Sequence, residues 1–339
     1  MRKRSADRGV LKTPVLLLPD LETLTLRLSA GLGSNGDRQK AVTVLRRSRP
    51  PFMSTFPNEI VTCRLANGCR QRVFVKYQAG QSHGSYGHRG DIAYETEVYR
   101  RVLQPMPEFR PKWLGAHTDP RTGEVSLFLE YVYGNVRLSD MVWKRSVRQP
   151  RAMAQATRWI ARFHAAHQDH AGDHSFLKRY DAEYYRGWAR RTCEFARPLH
   201  DRFPWLARLC ESDDWFAPLL AEPPTVIHGE FYAKTVLVRK ESVFMVDWES
   251  AAIAAGEIDL AALTEGKHWP ATVVRKCERA YVHARWPEGA PAGFRRTLEA
   301  AKIYLHFRWL GERADWAVRE KSLPRYDYLH TSAKQLGLL

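Results

Sequence analysis

The spacing of apolar positions changes several times along the chain, and each change predicts an element. Behind Asp20, the leucines at 21, 24 and 28 recur at three and four, which predicts a capped amphipathic helix with Gly31 at its C-cap. From residue 41 the apolar positions fall into short, β-branched runs. Residues 41–45, 59–65 and 70–77 read as strands, with a proline-rich turn at 48–57 and an Asn67-Gly68 hairpin turn. Helical spacing returns at 92–103, where Asp91 caps and Pro105 stops the run. Ile92, Tyr99 and Val102 make its inward stripe; Glu95 lies on that stripe and Glu97 on the far side. Residues 125–132 read as a strand running into an extended linker, with a boundary near Tyr133-Gly134.

Beyond that boundary the pattern is mostly helical. At 150–167, Met153, Ala156, Ile160 and Phe163 recur at three or four, and helices continue through 292–319. One hairpin interrupts them: 236–238 and 243–246 are apolar and β-branched, joined by Arg239-Lys240-Glu241-Ser242. Strands early and helices late predict an α+β chain. It divides into an N-terminal helical extension (1–37), a β-rich lobe (38–132) and a helical lobe (133–339).

At 339 residues the chain can bury two cores, and 44% hydrophobic with 27% charged residues is ordinary for a globular protein. No apolar run reaches membrane-spanning length, so no membrane association is expected. Arg2, Lys3 and Arg4 suggest a leader, but Lys12, Pro14 and Pro19 break the segment that follows; a cytoplasmic protein is expected. The five cysteines are scattered and predict neither a disulfide framework nor a zinc site. The formal charge of +16 draws anions and disfavours polycations. No nucleic-acid reader motif accompanies it, so a nucleic-acid partner is not expected. Gly31-Leu32-Gly33-Ser34-Asn35-Gly36 spells a formal G-x-G-x-x-G, but it leaves a helix rather than a strand and is not expected to touch a nucleotide.

The hairpin organises the chemistry. Glu230 lies on the loop entering it and Asp247 at its exit, so residues distant in sequence face one small volume. Two converging carboxylates suit phosphoryl transfer: one orients and deprotonates an attacking hydroxyl, the other holds Mg²⁺ against the nucleotide phosphates. His228 reads as a buttress for this loop.

The motif His228-Gly229-Glu230, then Thr235, Asp247-Trp248-Glu249 and Gly256-Glu257-Ile258-Asp259-Leu260-Ala261 resembles the signature of the aminoglycoside phosphotransferase and choline kinase superfamily. That signature is His-Gly-Asp, four residues, Asn, a hairpin ending in Asp-x-Glu, and Gly-x-x-Asp-Leu-Ala; here Glu230 replaces Asp and Thr235 replaces Asn. The resemblance implies a two-lobed, protein-kinase-like fold that moves the γ-phosphoryl of ATP, with Mg²⁺, to a hydroxyl of a small molecule. It implies Glu230 and Asp247 as catalytic residues, and Asp247, Thr235 and Glu249 as metal ligands. Lys76 would pair with Glu95 and reach the phosphates. Ser54 and Thr55, in a turn without glycine, would cover them. The backbone at Glu130 to Val132 would read the adenine edge. Asp259 would hydrogen-bond the loop backbone, and His164 would pack, so the histidines at 164, 167, 170 and 174 are not expected to bind metal. The aromatic segment 176–220 is expected in the core, although the resemblance places acceptor-shaping helices there. Glu211, Asp213 and Asp214 suit either an amine acceptor or a solvated loop. The departures at Glu230 and Thr235 leave one alternative, a pseudokinase that binds nucleotide or a partner without efficient turnover.

Overall fold

Thr23 N–H donates to Asp20 Oδ1 at 2.7 Å, so the first helix, Leu21–Gly31, starts where its cap predicts. Leu24 and Leu28 are fully buried in a cluster with Val61, Val73, Val75 and Phe128. The helix ends at Gly31, within one residue of the expected C-cap, and the cap itself is Leu32 in right-handed backbone. A Cβ at Gly31 would lie 2.3 Å from the Phe128 ring, so close packing explains the glycine.

The structure, a computed structural model, describes residues 18–32, 41–50, 55–78, 86–106, 111–143, 149–265 and 269–339. Gly33 to Gly36 of the glycine motif lie outside them, as do Ser54 and most of the glycine-containing connector ahead of Asp91. The chain forms two units, one of Met1–His83 with Leu114–Phe128, the other of Gly84–Trp113 with Leu129–Leu339.

The first unit is built on a five-stranded sheet in the order Thr43–Ser48, Asn58–Arg64, Arg70–Tyr77, Val125–Glu130, Trp113–Thr118. The first three strands pair antiparallel, and Gly68 takes the left-handed conformation (φ 81°) that the hairpin turn needs. The first strand begins later than its apolar run because Val42 N–H donates to Ser29 Oγ at 3.3 Å. It extends through polar Arg46, Arg47 and Ser48 because the Arg47 guanidinium forks onto the Glu59 carboxylate at 2.7 and 2.8 Å. A cross-strand ion pair takes the place of the apolar pattern there.

In the second unit Asp91 Oδ1 accepts from Tyr94 N–H at 2.8 Å and opens the helix Ile92–Glu97, which continues as a π turn over Val98–Leu103. Glu95 is fully buried, whereas Glu97 turns outward to Arg100. The helix Gln149–His167 buries Met153, Ala156, Ile160 and Phe163 as its spacing predicts. Tyr185 and Trp188, on the helix Ala182–Phe195, are fully buried among other aromatics, in line with the core reading of 176–220. Asp213 lies exposed and pairs with Arg186, so this acidic patch is a solvated loop.

Two small sheets hold the functional loop. Val236–Arg239 and Ser242–Met245 form the expected hairpin, with Val136–Arg137 as a third strand. Lys240 takes a positive φ of 53° at its turn. Thr225–Ile227 pairs with Ala252–Ala254, which pairs in turn with Lys178–Arg179. Among the described residues no helix is long and apolar enough to cross a membrane.

Candidate active site

The loop between Ile227 and Val236 is held from below by one carboxylate. Asp259 sits in the first turn of the fully buried helix Glu257–Thr264. Its Oδ2 accepts from His228 N–H at 2.6 Å and its Oδ1 from Gly229 N–H at 3.0 Å. His164 Nε2 lies 3.1 Å from Oδ2, and His164 Nδ1 lies 2.9 Å from the Tyr281 hydroxyl, which accepts from Arg285 at 2.6 Å. The chain of donors therefore runs Arg285, Tyr281, His164, Asp259, with His164 neutral and carrying its proton on Nε2. Burial pushes the His164 pKa down to about 4. Asp259 thus takes the backbone role expected of it. Gly229 (φ 78°) passes so near Ser250 that a Cβ would lie 2.1 Å from its carbonyl oxygen.

His228 is a brace as well. Nε2 bonds the Val246 carbonyl at 2.9 Å, and Nδ1 accepts from Glu230 N–H at 3.3 Å. One ring thus ties the loop to the far end of the hairpin. Thr235 Oγ donates its proton within the loop, to the carbonyls of Glu230 and Tyr232, both at 2.9 Å. At the hairpin exit Asp247 adopts left-handed backbone (φ 65°, ψ 61°), rare for a residue with a side chain and common where function fixes the geometry. Trp248 N–H, the next amide, donates to Glu95 Oε1 at 3.1 Å.

Glu230 has surroundings that its sequence context does not announce. It is 5% exposed. Its Oε1 accepts from Arg89 at 2.8 Å and Arg308 at 3.3 Å, with His88 Nε2 at 3.5 Å. Burial alone would raise its pKa, but Lys234, His88, Arg308 and Arg89 hold it well below the carboxylate range. Arg89 also reaches Glu249 at 3.4 Å and Glu312 at 3.6 Å. It is aimed there because Lys178 Nζ holds the carbonyls of Gly87 and Arg89, and Gly90 N–H donates to Glu249 O at 2.6 Å. Arg308 arrives from the long helix Phe294–Gly311 and also bonds the Tyr232 hydroxyl. Glu230, Arg89 and Arg308 form one wall of a cavity of about 460 Å³, whose other walls include Trp309, Trp316 and Arg325.

Sequence reasoning missed Arg89, Arg308 and His88. Arg308 did carry a signal: it is a cation within Leu305-His306-Phe307-Arg308-Trp309-Leu310, a helical run that is apolar apart from it and His306. Arg89 and His88 follow a glycine-rich connector whose spacing carries none.

The other expected site residues lie as follows. Lys76 is buried, 1% exposed, on the strand Arg70–Tyr77 of the first unit, whereas Glu95 belongs to the second. Thr55 is half-buried at a bend ahead of the strand Asn58–Arg64. Glu130 N–H donates to Lys112 O at 2.9 Å, and Glu130 Oε2 accepts from Lys112 N–H at 3.2 Å. Val132 is buried, its carbonyl taken by the Asn135 side chain. Among the described residues no cluster of three or more His, Cys, Asp or Glu is arranged to hold a metal, the histidines following residue 163 included.

The buried histidines predict an acid limb in stability. His88 is pushed down to about 3 and His164 to about 4, burial being the main cause in each. Between those values and the unfolded pKa near ~6.5, the unfolded chain binds more protons, so stability rises with pH. Each group should remove up to about 1.4 kcal/mol per pH unit as the pH falls below ~6.5. Glu230 has the same sign in a lower window: its lowered pKa contributes stability that is complete above the ordinary carboxylate range and is lost as the pH falls through and below that range. Urea unfolding at several pH values between 7.5 and 5 checks this, and a flat profile would rule out neutral buried histidines.

An α+β fold with a carboxylate-clamped loop and an acid at a hairpin exit defines a protein-kinase-like phosphotransferase. Residues 90–302 match the phosphotransferase enzyme family, APH, and the chain belongs to that family. No curated protein sequence matches the chain. In fold it is similar to choline kinase from Cryptosporidium parvum Iowa II, at 13% identity and a TM-score of 0.55, over 94% of this chain and 98% of that one. An aminoglycoside phosphotransferase from Alicyclobacillus acidocaldarius gives 16% and 0.54, over 97% and 96%. LicA in complex with AMP gives 12% and 0.51, over 93% and 97%.

Proposed function

We propose that the chain transfers the γ-phosphoryl group of ATP to a hydroxyl of a small molecule. The observation that carries this reading is the Asp259 clamp, which fixes the loop bearing Glu230 while His228 ties the same loop to the exit that presents Asp247. The fold likeness to LicA, solved with AMP, supports a nucleotide substrate. We assign the nucleotide to residues 38–132, through Lys76, Ser54, Thr55 and the backbone at Glu130 and Val132, with Glu95 as the partner of the lysine. We assign the acceptor to 133–339, and treat 1–37 as an extension.

Asp247 and Glu249, with the Thr235 oxygen, offer the hard oxygen donors that Mg²⁺ takes. A Mg²⁺ shared with substrate phosphates uses one or two carboxylates rather than a full protein cage, which the described residues do not form. Bound there, the ion neutralises charge on the transferring phosphoryl group. Glu230, held ionised by its arginines, orients the acceptor hydroxyl by accepting its hydrogen bond. Its low pKa makes it a weak base, which matters less here because the phosphoryl-transfer transition state is loose and demands positioning first. Arg89 and Arg308 keep that carboxylate in place.

The same arginines favour a second reading, a pseudokinase in which Glu230 serves structure alone. A thermal melt with Mg²⁺-ATP, followed by turnover across hydroxyl compounds, tests both. Ligand at about 100 times its dissociation constant should stabilise the protein by roughly 2.7 kcal/mol. Asp247→Asn and Lys76→Ala should each shrink that shift. An unmoved wild-type melt at millimolar Mg²⁺-ATP ends the nucleotide assignment. A full shift with no turnover leaves the pseudokinase.

A further inference from the structure

The cavity beside Glu230 carries cations that its own carboxylates do not balance. Arg89, Lys234, Arg308, Lys321 and Arg325 line it, against Glu230, Glu265 and Glu312. Each of the three carboxylates is already engaged: Glu230 by Arg89 and Arg308, Glu265 by His306 at 3.0 Å, and Glu312 by Arg89 at 3.6 Å. Among the described residues Arg325, Lys321 and Lys234 make no ion pair within 4.0 Å; Lys234 acts on Glu230, and Arg325 on Glu265, only from farther away.

Two of the cavity's side chains hold donors in reserve. Arg308 is 3% exposed, yet its Nε–H has no acceptor among the described residues. Arg325 lies over the Trp309 ring with its guanidinium 3.8 Å from the centroid. That stacking holds the face of the fork and leaves its in-plane N–H groups for another partner. Burial, with repulsion from Arg308 and Arg319, outweighs the pull of Tyr232 and Glu265 and brings the Arg325 pKa down to about 10. The wall behind is built to keep it there. Trp309 stacks on Trp316 at 5.1 Å, and Arg319 lies 4.8 Å from each ring.

Like charges gathered in a partly desolvated concavity repel, and an anion entering it relieves the repulsion while satisfying the free donors. A quaternary ammonium or polyamine group would meet Arg325 and Lys321 instead. We propose that the cavity takes an acceptor bearing a phosphate or carboxylate group, bound by Arg325 with Lys321 and Lys234, while its hydroxyl faces Glu230. The hydroxyl end of this assignment rests on the phosphotransferase reading; the anion end rests on the cavity alone.

Calorimetric titration of the full chain, with ADP and Mg²⁺ present in excess, tests the anion end. The probes are inorganic phosphate, acetate and choline chloride. Phosphate or acetate should bind and choline should not, and the tighter of the two anions identifies the group. Arg325→Gln should weaken anion binding about tenfold, with Arg325→Lys recovering part of it. Arg151→Gln, an exposed arginine paired with Glu241 away from the cavity, should change nothing. Circular dichroism melts of each variant show whether it is folded. Choline binding without anion binding, or an unchanged anion affinity in folded Arg325→Gln, overturns the proposal. An anion response in a protein that Mg²⁺-ATP does not stabilise upholds the anion site and removes the kinase reading. Stabilisation by Mg²⁺-ATP with no anion response does the reverse.

Discussion

Asp259→Ala is expected to destabilise the protein by roughly 3–5 kcal/mol and to abolish turnover. Asp259 is fully buried, and its two oxygens accept from His228 N–H, Gly229 N–H and His164 Nε2. Truncation leaves those donors in a site that water does not reach, so each loses its desolvation compensation as well as its bond. The loop cannot relax to find other acceptors, because a Cβ-sized displacement at Gly229 already meets the Ser250 carbonyl. Asp259→Asn should fare only slightly better: its amide nitrogen would have to face a donor. Urea unfolding measures the stability, and turnover of the folded fraction measures the site. A folded Asp259→Ala protein within about 1 kcal/mol of wild type would show that the loop is held by something else.

This clamp was legible through the family resemblance, because the motifs that carry it lie within short segments of fixed order. The Gly-x-x-Asp-Leu-Ala-like run and the His228 loop fixed the order, and the β-branched runs at 236–238 and 243–246 set the hairpin between them. Helix starts at Asp20 and Asp91 were legible for the same local reason, a side-chain acceptor directly before an apolar period. Glu95 could be placed on an inward stripe by counting residues, and it is fully buried.

Contacts set by the fold over long separations were not legible. Arg89 meets Glu230 across 141 residues, and Arg308 meets it across 78. No periodicity encodes either distance. The first strand shows the complement. Its polar end pairs through Arg47 and Glu59, a partner that exists only once the sheet has formed. The packing reason for Gly31 was illegible for a related reason: the Phe128 ring that excludes a side chain there comes from a distant strand.

Glu230→Gln is expected to lower turnover by about a hundredfold or more and to cost about 3 kcal/mol of stability, the low end for breaking a buried ion pair. Both effects follow from the same atom. Oε1 accepts from Arg89 and Arg308, and Arg308 is buried with Glu230 and the Tyr232 hydroxyl as its hydrogen-bond partners among the described residues. Glutamine keeps an oxygen of similar reach, so hydrogen bonds survive, but two guanidinium groups then face each other without the charge between them. Arg89 can turn to Glu249 and Glu312; Arg308 has no carboxylate beyond Glu230 among the described residues. At the acceptor side, the amide is a poorer acceptor for the hydroxyl and cannot take its proton. ATP affinity should change little, which separates this variant from Asp247→Asn. Glu230→Asp is the informative companion, since it restores the superfamily's residue and keeps the charge while shortening the arm. If charge is what the site needs, Glu230→Asp keeps most of the stability that Glu230→Gln loses. If reach is also needed, Glu230→Asp folds but turns over slowly, because the loop and its arginines are set for the longer side chain. A Glu230→Gln protein with wild-type turnover would remove Glu230 from the chemistry and leave it as the counterion of Arg308.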